Sequence, residues 1–168
     1  MTGQPSIFTQ GIDALTRSDC TAARACVERT IAERETPEAY EHLSRATWWL
    51  NDGDATISSK EAAYRLYREA GDDLGAARMA IWVSTNYEEF RGDLSIAQGW
   101  RHRARRLLDG LPVAPEHGWL QAVEGETALL IEEDFAKATR FAAAALELGR
   151  TCGVVDLETL ALAMQGLA

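Results

Sequence analysis

The chain has 168 residues and a formal net charge of −9 at pH 7, with 46% hydrophobic and 26% charged residues. This length and composition predict one compact domain over residues 1–168, and the acidic balance argues against direct binding to nucleic acid or to an anionic membrane. No apolar run approaches the roughly 18 residues that a membrane span needs, and residues 1–10 lack the basic and apolar regions of a signal peptide.

Helices are predicted throughout, because alanine and leucine dominate, prolines number only 4 and β-branched runs are absent. Residues 1–5 are expected to be disordered. The predicted helices cover about 7–15, 19–34, 37–50, 58–70, 74–90, 94–111, 116–131, 134–150 and 156–168. Residues 51–54 are predicted to form a turn, and the acidic pair Glu132-Glu133 is expected to favour the N-terminal dipole of the eighth helix.

Local signals indicate where several helices begin and end. Ser18 or Asp19 is predicted to cap the second helix, and Thr36-Pro37 to start the third, since threonine caps and proline tolerates the first helical position. Gly71 is typical of a residue just past a helix end, with Asp72 or Asp73 capping the fifth helix.

A weak repeat runs through these helices. Alanines seven residues apart recur with their first members 38, 34 and 41 residues apart, at Ala25/Ala32, Ala63/Ala70, Ala97/Ala104 and Ala138/Ala145. The form Ala63-x3-Tyr67-x2-Ala70 fits the second helix of a tetratricopeptide repeat, whereas the first-helix signature is not cleanly present. We therefore predict an all-α, tetratricopeptide-like solenoid of about nine antiparallel helices in degenerate helix-turn-helix repeats. The alternative is chance pairing in an alanine-rich bundle.

The stretch 36–168 resembles the tetratricopeptide-like region of actinobacterial LuxR-type helix-turn-helix transcriptional regulators. The blocks that carry the resemblance are Thr36-Pro37-Glu38-Ala39, 46–50, 63–68, 71–78, 90–93, Gly99-Trp100, 104–108 and 115–120. In that family the repeats precede a C-terminal DNA-binding domain, which residues 1–168 lack, and are thought to sense a ligand or partner. The resemblance implies a non-catalytic domain that binds a protein, peptide or small molecule. The alternative is a free-standing homodimeric scaffold or adaptor.

No residues are spaced for catalysis, a metal or a cofactor. Cys20 and Cys26 are six residues apart, about 240° around a helix, so they cannot share a metal. None of the three histidines has a ligand-spaced partner, and no glycine-rich phosphate loop occurs. The odd number of cysteines, 3, predicts reduced thiols in the cytoplasm. We expect neither an enzyme nor a cofactor.

One basic cluster, residues 101–106, lies on the sixth helix. Arg101 and Arg105 share a face of that helix. The cluster is either a solvated surface paired with acidic neighbours or a docking point for an acidic partner. The residues of the sixth helix predicted to face inward are Ile96, Trp100, Ala104, Leu107 and Leu111.

The tryptophans supply the candidate binding residues. Trp48 and Trp49 are adjacent, so both cannot point into one core face, and at least one is expected at a groove or interface. An aromatic ring with a nearby amide suits capture of a peptide or small ligand, and the helices expected to line a concave surface carry both. The predicted binding residues are Trp48, Trp82, Asn86, Trp119 and Glu126. Large aromatic residues also commonly occupy cores, which is the other interpretation.

The last predicted helix is apolar and stops without a cap. Solenoids usually end in a polar capping helix. An exposed face of Leu160, Met164 and Leu167 would favour self-association, so the sequence predicts a homodimer through this helix or the cut end of a longer chain.

Overall fold

The computed structural model describes residues 6–167, so the expected disorder of residues 1–5 lies outside the described part. Within these residues the chain is helical, without a strand, and the all-α prediction is confirmed. The helices are α1 (Ile7–Thr16), α2 (Cys20–Glu33), α3 (Pro37–Trp49), α4 (Gly53–Ala70), α5 (Asp73–Arg91), α6 (Leu94–Leu108), α7 (Pro115–Leu130), α8 (Phe135–Cys152) and α9 (Val155–Leu167).

Two predicted boundaries were wrong by several residues. α4 begins at Gly53 rather than at Ser58, because the Asp52 carboxylate accepts the backbone N–H of Ala55 at 3.1 Å and caps the helix there. α6 ends at Leu108 rather than at Leu111. The early start of α4 brings two more residues, Thr56 and Ile57, into its buried face.

Five connections share one two-residue device. The first residue has a left-handed backbone with φ between 54° and 75°, and the second is an aspartate whose carboxylate accepts the N–H three residues later at 2.8–3.1 Å. The pairs are Ser18-Asp19, Asn51-Asp52, Gly71-Asp72, Gly92-Asp93 and Glu133-Asp134. One helix ends and the next is capped within two residues. Glu133 thus ends the preceding helical segment with a left-handed backbone, and the favourable effect of Glu132-Glu133 on the dipole of the next helix stays a prediction.

The described residues fall into two compact units, the first ending at Trp100 and the second beginning at Arg101, within α6. In the first unit, consecutive helices from α1 to α5 pack against each other, and α1 also contacts α3. In the second, α8 packs between its neighbours in sequence, and α7 also contacts α9. The single domain and the solenoid arrangement stay predictions.

Helix α5 has more buried residues than any other described helix of the first unit. Met79, Ile81 and Val83 have at most 1% of their surface exposed, although Ile81 lies on the opposite side of the helix from Met79 and Val83. Gly75 permits the close approach of α4, because a Cβ there would lie 2.5 Å from the Tyr67 ring. A helix buried on more than one side is central to its unit, so α5 positions the side chains around it.

A polar network also joins α3, α4 and α5. Both carboxylate oxygens of Glu41 accept hydrogen bonds from Arg78, at 2.9 and 3.0 Å, and the Tyr67 hydroxyl donates to Glu41 at 2.9 Å. Burial alone would raise the pKa of Glu41, but the hydrogen bonds and charge of Arg78, with the Tyr67 hydroxyl, outweigh it and lower that pKa. Burial and the neighbouring Glu41 carboxylate raise the pKa of Tyr67. The charged carboxylate is thus part of the folded state.

The alanine pairs of the predicted repeat differ in burial. Ala97, Ala104, Ala138 and Ala145 have no exposed surface, as expected of small residues at a close helix contact. The Ala25/Ala32 pair is exposed instead. In α2 the buried positions are Ala23 and Val27, so the first alanine pair does not mark a helix contact.

The second unit is built around close contacts at glycines. Its main cluster comprises Ala122, Ala145, Leu146, Leu157 and Ala161. A Cβ on Gly118 would overlap Leu157, and a Cβ on Gly125 would overlap Met164. These glycines of α7 therefore allow α9 to pack closely against it.

Candidate functional site

Two adjacent tryptophans end α3 and extend into solvent. The Trp48 and Trp49 rings meet edge to face, with centroids 4.9 Å apart and planes at 83°. They are 38% and 68% exposed, so neither contributes a fully buried ring to the core. The Trp48 indole Nε1 donates to Glu89 of α5 at 3.2 Å, which fixes the orientation of this ring. An exposed aromatic pair held in place provides a preformed apolar surface.

Lys60 lies on α4 with only 9% of its surface exposed. Its ammonium group donates a hydrogen bond to the Asn86 side-chain oxygen on α5. Burial lowers the pKa of Lys60 to about 8 from the ordinary 10.5, although the negative charges of Glu89 and Glu41 oppose this change. A lysine amine is seldom buried, because its charged form loses hydration. This residue therefore needs an explanation beyond packing.

A hydrogen-bonded chain connects Lys60 to the tryptophans. Asn86, which is 2% exposed, accepts from Lys60 and donates through Nδ2 to Glu89 at 2.9 Å. The same Glu89 oxygen accepts from Trp48. Both ends of the Asn86 amide are used, so its oxygen is directed at the amine. These hydrogen bonds link α3, α4 and α5 and set the relative positions of an amine, an amide and an indole.

These side chains surround a cavity of about 250 Å³, called here the tryptophan pocket. Its lining residues are Arg45, Trp48, Trp49, Lys60, Trp82, Thr85, Asn86 and Glu89. Indole rings, two basic groups and one carboxylate meet in it. Apolar walls with a few convergent polar groups are typical of small-molecule sites. The pocket is large enough for a ligand of one or two rings.

The structure brings three of the five predicted binding residues, Trp48, Trp82 and Asn86, into this pocket. Trp119 and Glu126 belong to the second unit, where both are partly buried. Trp119 packs against the main core cluster of that unit, which agrees with the core interpretation for this ring.

Lys60 was not among the binding residues predicted from the sequence. Ile57, Lys60, Ala63 and Tyr67 are all buried and follow one another at helical spacing, so a cation stands in the apolar stripe of α4. The signal was hidden because the predicted helix began at Ser58, which left Ile57 outside it. Composition offered a second signal, since the chain has only two lysines among its 17 basic residues.

The predicted docking pair is only half available. Arg101 is 7% exposed and donates to Thr127 at 3.3 Å, so its guanidinium is part of the second unit's interior rather than a docking group. The buried residues of α6 are Ala97, Arg101, Ala104 and Leu108. The predicted inward position of Ala104 is confirmed, whereas Ile96 is 42% exposed and was wrong. Arg105 is exposed and pairs with Glu124.

The face of α9 that was predicted to mediate self-association is only partly exposed. Met164 is 3% exposed and buried against α7, because Gly125 leaves space for its methyl group. Leu160 is partly buried against the main cluster of the second unit. Leu167 alone of the three is fully on the surface, at 70% exposure. The expected exposure of Met164 is therefore wrong, whereas an interface through Leu160 and Leu167 stays a prediction.

A wider cavity of about 640 Å³ opens in the second unit. It is lined by Arg105, Arg106, Leu108, Asp109, Gly110, Leu111, His117, Leu120, Gln121 and Leu148. Two of its polar side chains are paired within the unit: His117 bonds the backbone of Ala114 and Leu108, and Arg105 pairs with Glu124. It holds no buried charged side chain aimed at a ligand, so we favour the smaller tryptophan pocket as the functional site.

Among residues 6–167, no group of three or more histidine, cysteine or acidic side chains is placed to hold a metal ion. None of the described helices combines the length and apolarity needed to cross a bilayer.

Comparisons with known proteins found no match for this chain. No protein-family model matches the chain, and no curated protein and no solved structure matches it. The resemblance to LuxR-type regulators stays a prediction from the residue blocks named above.

Proposed function

We propose that this chain is a non-catalytic ligand-sensing domain whose tryptophan pocket binds a small planar molecule. In this proposal it is the tetratricopeptide-like part of a LuxR-type transcriptional regulator, working in the cytoplasm. The residue blocks from Thr36 to Leu120 support the family, and the pocket supports the activity. A peptide bearing an aromatic side chain is a ligand of the same kind.

The observation that carries the proposal is the buried Lys60. An apolar residue at this position would pack without a desolvation cost, yet the chain places an amine there, beside an amide fixed by Glu89. Polar groups that cost stability are characteristic of functional sites. The amine provides donors to a ligand acceptor, and the indole rings provide planar contact surface.

Benzamide is a suitable first probe, because it is neutral, planar and carries a carbonyl acceptor. Saturation-transfer NMR should detect it on the native protein with a dissociation constant in the millimolar range, which is ordinary for a ligand of so few atoms. Lys60→Met and Trp82→Ala should each weaken binding several-fold. Lys137→Met, which changes the other lysine, is the matched control and should leave it unchanged. Equal binding to all four proteins would contradict the proposal.

A second function, a homodimeric scaffold, is favoured by the exposed apolar side chains of α9. Val155, Leu162 and Leu167 are 71%, 51% and 70% exposed. Exposed leucines on one helix favour self-association. Light scattering over a concentration series should then show a dimer that Leu167→Glu dissociates. A monomer at every concentration would remove this function and leave the pocket proposal untouched.

A further inference from the structure

The charges of the tryptophan pocket limit its ligand. Arg45 and Lys60 supply positive charge, and Glu89 supplies negative charge, at the same cavity. An anionic ligand would meet the Glu89 carboxylate, and a cationic one would meet the two basic groups. The pocket therefore offers an ionic ligand of either sign both an attractive and a repulsive group. A neutral ligand with an acceptor group has the best match, and a carbonyl is the simplest such acceptor.

The amine of Lys60 is arranged to do more than donate a hydrogen bond. Asn86 accepts one hydrogen bond from it through its side-chain oxygen, and Lys60 is a lining residue of the cavity. Its surroundings from each helix are Glu41 and Arg45 on α3 and Asn86 and Glu89 on α5. Burial favours its uncharged form, which carries the lone pair that a nucleophile needs.

We propose that Lys60 captures a planar aldehyde in the tryptophan pocket as a reversible Schiff base. This inference rests on the proposed ligand-sensing function and names its ligand class. The Nζ lone pair of Lys60 attacks the carbonyl carbon, and the C=O π electrons move to oxygen. One proton passes from nitrogen to oxygen, giving a carbinolamine, which loses water to form the C=N bond. No oxidant or reductant takes part, and hydrolysis releases the aldehyde unchanged.

The test uses benzaldehyde with cyanoborohydride, which reduces an imine to a stable benzylamine. The full chain is treated at pH 8 and mapped by peptide mass. Only two lysines can react besides the terminal amine, so Lys137, which pairs with Glu132 at the surface, is an internal reference. We expect the Lys60 adduct to form at least about tenfold faster than the Lys137 adduct, because more of a buried amine is uncharged. In concentrated urea the two rates should become equal.

Variants separate covalent capture from the pocket itself. Trp82→Ala and Asn86→Leu should slow labelling of Lys60 several-fold without changing labelling of Lys137, and circular dichroism should confirm that each variant is folded. Lys60→Arg should remove the adduct while the pocket keeps its positive charge.

The outcomes also distinguish the two proposals. If benzamide binds the pocket but Lys60 is labelled no faster than Lys137, the Schiff base is wrong and the ligand-sensing function stands. If neither benzamide nor benzaldehyde binds, the ligand-sensing function fails too. Selective, Trp82-dependent labelling of Lys60 supports both.

Discussion

Replacing Lys60 with methionine should stabilise the protein, although lysine is the native residue. The pKa of about 8, against 10.5 for an ordinary lysine, means that the folded state holds this proton less tightly than the unfolded chain. The difference corresponds to about 3 kcal/mol of lost stability below pH 8, at 1.36 kcal/mol per pH unit. Methionine keeps the alkyl chain and removes the charge. Asn86 loses a partner, which costs about 1 kcal/mol. The net expected gain is about 2 kcal/mol at pH 7.

The sign of this effect depends on pH in a defined window. Between pH 8 and 10.5 the unfolded chain binds the Lys60 proton and the folded chain releases it, so the native protein gains stability as pH rises. The advantage of Lys60→Met should therefore shrink across this window and vanish near its upper end. Effects of other groups cancel when the two proteins are compared.

Urea unfolding from pH 7 to 10, followed by tryptophan fluorescence, measures this difference. Four of the five tryptophans belong to the first unit, so the signal reports on the unit that contains Lys60. Lys137→Met is the control, and it should change stability by less than about 0.5 kcal/mol at every pH. A Lys60→Met protein that is less stable at pH 7, or a gain that does not vary with pH, would refute the reasoning.

The other predictions concern stability, each measured by urea unfolding. Glu133→Gly should stabilise by about 1 kcal/mol, because glycine adopts the left-handed backbone at φ 54° without strain; an unchanged midpoint would contradict this. Glu41→Gln should destabilise by about 2 kcal/mol by weakening its bidentate arginine bond. Folding lowers the pKa of Glu41, so the stability contributed by its carboxylate is present above the ordinary carboxylate pKa and is lost as pH falls through the folded value. The native protein should therefore lose more stability in acid than the Glu41→Gln variant. Gly118→Ala should destabilise by about 1–3 kcal/mol through overlap with Leu157, whereas Gly166→Ala, with open space around it, should be neutral or slightly stabilising.

In the proposed function, the buried Lys60 that costs stability serves to bind the ligand. A chain with two lysines places one of them in an interior stripe, next to an asparagine whose amide is held by a glutamate. The same glutamate orients an exposed indole. Each contact is modest on its own, but together they hold an amine, an amide and aromatic rings around one cavity. Preorganised polar groups of this kind bind a ligand without the entropy cost of ordering them.

Local signals in the sequence determined the secondary structure. Thr36-Pro37, the aspartate caps and Gly71 act within one turn of the backbone, so the number and approximate range of the helices followed from composition and spacing. The first turn of α4 was missed, because Asn51-Asp52 was interpreted as a loop although it terminates one helix and caps the next. Asn51 accepts the left-handed conformation that glycine usually supplies, which residue identity alone does not reveal.

Only the tertiary structure decided which side chains meet. Trp48, Lys60 and Asn86 are separated by 12 and 26 residues and lie on three helices, and nothing in their local sequence specifies how those helices are rotated. The rotation of α6 buried Ala97 and Arg101 and left Ile96 exposed, and Gly125 of α7 let Met164 pack into the core. Helix formation is governed by short-range hydrogen bonds and capping, whereas a site depends on packing between distant segments, which is decided by side-chain volume and desolvation.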